Sequence, residues 1–229
     1  MAFRDAGTSV NSPANTTEGV PYKLATVQSK LANLEPQSNR CGPRREFVNP
    51  APRPRLLPDI ELPPYSYVSG LFPHPLRDPR GHAFGQHPPL STPIDETNWQ
   101  NSLAYLSAID LFNHGYYWEA HEAWEGLWHA AGRRGPAAEF LKGLIKLAAA
   151  GVKAREGRPV GVTRHAESAR GLFESVRAAR STEAPLYLGL SLSELIARAN
   201  WLGEHAPEII DTSDAPVAIV MPFVLALNA

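Results

Sequence analysis

Cysteine is all but missing: Cys41 is the only one in 229 residues. One thiol excludes a disulfide framework and a thiolate zinc site. Net charge is missing too, at −1 from 22 basic and 23 acidic side chains. Binding to nucleic acid or an anionic membrane is driven by displacing counterions with Lys and Arg, so neither is expected as a partner. No apolar run approaches the roughly 20 residues that cross a bilayer, and the apolar stretch from Pro216 to Leu227 is short and interrupted by Pro222. No apolar block follows the first Arg as in a secretory signal, so a cytoplasmic protein is expected. A Walker loop, G-x-G-x-x-G and G-x-S-x-G are all lacking, which sets aside the usual nucleotide and acyl-transfer classes.

Proline is plentiful but uneven. Of 22 prolines, 16 precede residue 101 and 6 follow it. Residues 1–55 carry a local charge of +4, from 8 basic side chains (Arg53 and Arg55 among them) against 4 acidic ones, with few large apolar residues. Such a stretch buries too little to offset the entropy of ordering it, and is expected to be a disordered leader. Over residues 56–95 aromatics and aliphatics return while prolines persist. Pro fixes φ and biases the residue before it to extended backbone, so this segment is expected to be a stiff, non-helical arm packing on another surface. His74, Arg77, Asp78 and His82 form its densest polar cluster. Two readings apply: Asp78 closes a turn through its own backbone, or the arm delivers a charged group to a pocket.

Residues 96–229 read as one helical domain with an extended C-terminal tail. Trp99, Leu103, Leu106 and Ile109 recur at helical spacing and predict a buried stripe on a first helix ending near Asn113 to Gly115. A second helix is expected from Tyr116 to Ala131 and a third from Pro136 to Gly157. A fourth begins at Pro159, and a fifth is capped by Ser191 with Glu194 at capping-box spacing. Gly143, Lys146 and Ala150 make a narrow face on the third that admits a close neighbour. The fold class that follows is all-α, a small up-and-down helical bundle.

Residues 114–129 hold three of the five tryptophans and carry the chemistry, if any does. At about 100° per residue, Trp124, Tyr117, Trp128, His121, Glu125 and Trp118 share an arc of roughly 120°, so the four aromatic rings are expected to wall a ligand pocket around His121 and Glu125, with Glu119 and Glu122 directed elsewhere. His114 joins the arc if the helix extends back through Gly115. His and Glu at i and i+4 can act as an acid–base pair or as two ligands of a divalent metal. The motif is H-E-x-x-E, so a third ligand must come from elsewhere, with His165, His74, Asp78 or His82 as candidates. Lys146, Arg164, His165 and Arg170 could close a pocket, with Arg77 and Asp78 reaching it from the arm. Three readings stay open: a small-ligand or metal site; a metal-dependent or acid–base hydrolase in which His121, Glu122 and Glu125 are catalytic; and a buried His121–Glu125 pair that only fixes packing. The partner is a small molecule or metal ion in the first two.

The run Phe112-Asn113-His114-Gly115, then Glu119-Ala120-His121-Glu122-Ala123-Trp124-Glu125-Gly126-Leu127-Trp128, then Gly143-Leu144-Ile145-Lys146-Leu147-Ala148-Ala149-Ala150, resembles the bacterial and archaeal family catalogued as domain of unknown function 309. The resemblance covers residues 100–180. It implies a small helical up-and-down bundle and no named reaction, and it carries over His121, Glu122, Glu125, Trp128 and Gly143. Lys146 departs from it, standing where a neutral amide is expected, which speaks against a role there for a neutral hydrogen-bonding group.

Overall fold

The computed structural model describes residues 53–86, 91–180 and 185–228. Every described residue lies within one compact unit, Asn49–Ala229. The leader expected over residues 1–55 therefore lies outside the described residues up to residue 52.

Five α-helices follow one another among the described residues: α1 (Leu103–Asn113), α2 (Tyr117–Ala130), α3 (Pro136–Arg155), α4 (Pro159–Ala178) and α5 (Leu192–Glu204). Each packs on the next, α1 on α2 through to α4 on α5, which is the up-and-down order of an all-α bundle. The starts obey local chemistry. Pro136 and Pro159 open α3 and α4, where a missing N–H costs nothing, and the Ser191 hydroxyl accepts from the Glu194 amide at 3.3 Å to cap α5. Two short strands, β1 (Leu186–Tyr187) and β2 (Leu190–Ser191), pair antiparallel in a tight hairpin before α5.

The first helix departs from the expected register. Trp99 sits in a separate 3-10 turn, Trp99–Asn101, and Leu103 is 63% exposed. The buried stripe is instead Tyr105, Ala108, Ile109 and Phe112. Ser102, in extended backbone between the turn and α1, resets the helical phase, so spacing counted from Trp99 fails to predict the inward face.

Close approach at Gly143 lets α4 seat on α3. A Cβ there would meet the edge of the Phe173 ring, far inside van der Waals contact. Gly143→Ala is expected to cost about 1–3 kcal/mol by overpacking, with helix content retained, as read by denaturant unfolding.

The C-terminal tail, residues 210–228, has neither helix nor strand and lies against the helices. Asn113 accepts the Leu225 amide at 2.7 Å and donates to the Leu225 carbonyl at 3.0 Å, a two-bond contact like that of a paired strand. The Tyr117 hydroxyl accepts from the amides of Val220 and Met221 at 2.9 and 3.0 Å. Arg155, 4% exposed at the end of α3, donates to the carbonyls of Asp211, Ser213 and Ala215, to the Asp211 carboxylate and to the Ser213 hydroxyl.

Burial pushes the Tyr117 phenol up to about 12, against which the amide bonds and the charges of Arg53 and Arg155 act more weakly. A raised folded-state pKa stabilises fully below the ordinary value of 10 and loses that contribution as pH rises towards 12. The melting temperature should therefore fall between pH 10 and 12, and Tyr117→Phe, less stable at neutral pH, should show a shallower fall. An equally steep fall in the variant would contradict this.

Residues 53–86 follow an irregular path over the helices. Arg53 donates to the carbonyls of Asn113, Met221 and Phe223 at 2.8–3.1 Å, tying this segment to α1 and the tail together. Asp110, 1% exposed, accepts from Arg55 Nε and from the amides of Leu56 and Leu57 at 2.8–3.0 Å. Arg53 and Arg55, counted above with the leader, are thus anchors: each finds buried acceptors that composition alone does not reveal.

Candidate functional site

α2 begins at Tyr117 because Gly115, at φ +90°, turns the chain sharply after α1, and a Cβ there would meet the Ala218 carbonyl at 2.7 Å. His114 therefore stays off the α2 face. It ends α1 with its ring nitrogens 2.7 and 3.1 Å from the carbonyls of Asp110 and Arg53.

Downstream on α2, one nitrogen of His121 and one carboxylate oxygen each of Glu122 and Glu125 lie within 4.8 Å of one another. The shortest pair is His121 Nδ1 to Glu122 Oε1, at 3.4 Å. Glu122 thus turns towards His121, where the helical layout directed it elsewhere; a long side chain moves its carboxylate well off the Cβ direction. The three side chains keep 28%, 41% and 40% of their exposure in sequence order, too much for a buried packing pair. Yet His121 Nδ1 itself is enclosed and has no hydrogen-bond partner among the described residues. One turn on, Arg133 donates to His129 Nδ1 at 2.9 Å, leaving Nε2 to carry the proton that faces Glu125 at 4.0 Å.

His165, expected as a further ligand, stands on α4 outside the group of three ligand atoms. Its pKa is lowered by burial first, then by Lys146, Lys153, His121 and Arg164, so neutral imidazole is its form at neutral pH. Arg164 is exposed, Lys146 half-buried, and neither forms an ion pair among the described residues. Lys146 thus forms no ion pair with Glu125 among the described residues. Arg170 bonds instead to Asn200 at 3.2 Å.

The aromatic residues do not wall a pocket around His121. Tyr117 and Trp124 are core side chains at 1% and 0% exposure. Trp118 is covered edge-on by the rings of Tyr67 and His74, at 5.3 and 5.4 Å. Trp128 remains partly exposed, with the Arg133 guanidinium 5.5 Å from its ring centre. The cause is the width of the buried arc: a helix flanked by α1, α3 and the arm has little face left for solvent.

The arm residues go elsewhere as well. His82 Nε2 lies 3.3 Å from Glu119 Oε1, and His74 packs on Trp118, so neither joins the His121 group. Asp78 accepts the backbone and side chain of Arg80, a turn closed on itself, and its carboxyl is held at about 2 by the Arg80 side chain and then its amide. Arg77 is exposed. Glu119, which the helical layout set aside, is 8% exposed and receives the Ser66 hydroxyl at 3.1 Å, the Tyr67 amide at 2.9 Å and His82. Its neighbours along the chain give no sign of this, because its partners are more than thirty residues away.

Chemically, an imidazole and two carboxylates at the surface of one helix can hold a divalent cation and leave coordination positions open. No helix among the described residues is long and apolar enough to cross a membrane. No curated protein and no solved structure matches the chain. Residues 105–165, which run from α1 into α4 and contain His121, Glu122 and Glu125, match the family described as Domain of unknown function (DUF309), and this is the family the sequence resembles.

Proposed function

We propose that the chain binds a divalent transition-metal ion through His121, Glu122 and Glu125. The observation that supports this reading is the approach of three ligand atoms of suitable type to within 4.8 Å of one another. Two further facts favour it. The enclosed His121 Nδ1 lacks a partner that a metal would supply, and three protein ligands leave room for water or an external oxygen ligand. Mixed imidazole and carboxylate donors suit Zn²⁺ or Mn²⁺ over soft, thiophilic ions.

Elemental analysis of protein purified after metal-supplemented expression tests the reading. Stoichiometric metal in the wild type and its loss in His121→Ala are expected. Metal-free wild type, or a variant that keeps its metal, would contradict it.

A further inference from the structure

A separate hollow of about 360 Å³ is walled by the segment around Trp99, by Arg180 at the end of the α4 region, by the β1–β2 hairpin and by Asn228. All of these residues lie outside the segment matched by the family. Its size is at the lower end of the roughly 300–1,000 Å³ typical of small-molecule sites.

Its polar groups, Glu96, Arg180 and Tyr187, are neighbours that pair only loosely. The Arg180 guanidinium lies over the Tyr187 ring, 4.2 Å from its centre, which fixes its position while leaving its edge free. Glu96 approaches Arg180 Nη1 only to 3.9 Å, too far for a hydrogen bond. Arg180 Nε and the Tyr187 hydroxyl are each enclosed without a hydrogen-bond partner among the described residues, and Tyr187 is 3% exposed. Buried donors are nearly always satisfied in folded proteins, so two orphaned side by side at a cavity wall point to a missing acceptor. Burial, and then the nearby Glu96 carboxylate facing its hydroxyl outside good hydrogen-bond geometry, raise the Tyr187 pKa, so the phenol is a donor at neutral pH. Trp99 supplies an apolar wall: it lies so close on the hairpin that a Cβ at Gly189 would meet its ring at 2.5 Å.

One cation, one anion, one neutral donor and an indole face define the ligand. We propose that this hollow binds a small zwitterion of the amino-acid class with an apolar side chain, its carboxylate on Arg180 and Tyr187, its ammonium on Glu96 and its apolar group against Trp99. A plain carboxylate would leave Glu96 opposing it, and a plain amine would oppose Arg180.

Calorimetric titration of the full chain tests this with L-phenylalanine and L-leucine, beside hydrocinnamate, which lacks the amine, and phenethylamine, which lacks the carboxylate. Saturable binding of at least one amino acid is expected, with hydrocinnamate and phenethylamine weaker by about tenfold or more. Arg180→Gln and Glu96→Gln should each weaken amino-acid binding about tenfold and Tyr187→Phe about fivefold, with the circular-dichroism melting curve retained. No saturable heat with either amino acid would overturn the proposal. So would hydrocinnamate binding as tightly as L-phenylalanine, or folded variants that bind like the wild type.

Discussion

Arg155→Ala is expected to lower the unfolding free energy by about 3–5 kcal/mol, the largest single loss among the polar contacts of the fold. The guanidinium is 4% exposed and gathers three backbone carbonyls, a carboxylate and a hydroxyl of the segment from Asp211 to Ala215. Truncation removes all five of these bonds at once, and with them the contacts that hold the half-exposed segment from Asp211 to Ala215 against the end of α3. Arg155→Lys should recover little, because an ammonium is a point charge and cannot span carbonyls two residues apart along the chain. Denaturant unfolding followed by circular dichroism measures both. A loss under about 1 kcal/mol in the alanine variant would show that the tail is held without this clamp.

Glu119→Ala is the second large effect, at about 2–4 kcal/mol. Its carboxylate accepts the Ser66 hydroxyl, the Tyr67 amide and His82, and these bonds bring residues 65–82 onto α2. Without it the Tyr67 amide loses a charge-assisted bond, and Tyr67 and His74 lose the lock that sets their rings against Trp118. The expected signature is local as well as global: faster proteolysis between residues 56 and 86, and stronger quenching of Trp fluorescence by iodide. Ser66→Ala, which removes one of the three bonds, should cost about 1 kcal/mol. Unchanged proteolysis in Glu119→Ala would mean that the contacts of Arg53 and Arg55 suffice to hold the segment.

Periodicity and capping were enough to read the bundle. The helix starts at Pro136, Pro159 and Ser191 are stated by the residues themselves. Local spacing also brought His121 and Glu125 to one face. It failed where a contact spans the chain. Asp110 and Glu119 look like ordinary helical acids, yet each is enclosed by a segment about fifty residues earlier. Asp110 gives no local signal: at about 100° per residue it lies on the side of α1 turned away from Tyr105, Ala108, Ile109 and Phe112, and residues 55–57 enclose it. Asn113 belongs to a recognisable turn, but its pairing with Leu225 does not show in its neighbours. Tyr117 and Trp124 illustrate the converse error. A shared arc on a helix wheel says nothing of whether that arc faces solvent or core, and here α1, α3 and the arm claim most of it.

The metal reading is tested most directly by calorimetric titration of the metal-stripped full chain with Zn²⁺ and with Mn²⁺, on wild type and on a His121→Ala/Glu125→Gln double variant. A single saturable site in the wild type, lost in the double variant while its melting curve is kept, is the predicted result. No saturable binding of either ion, or the same isotherm in both proteins, would contradict it.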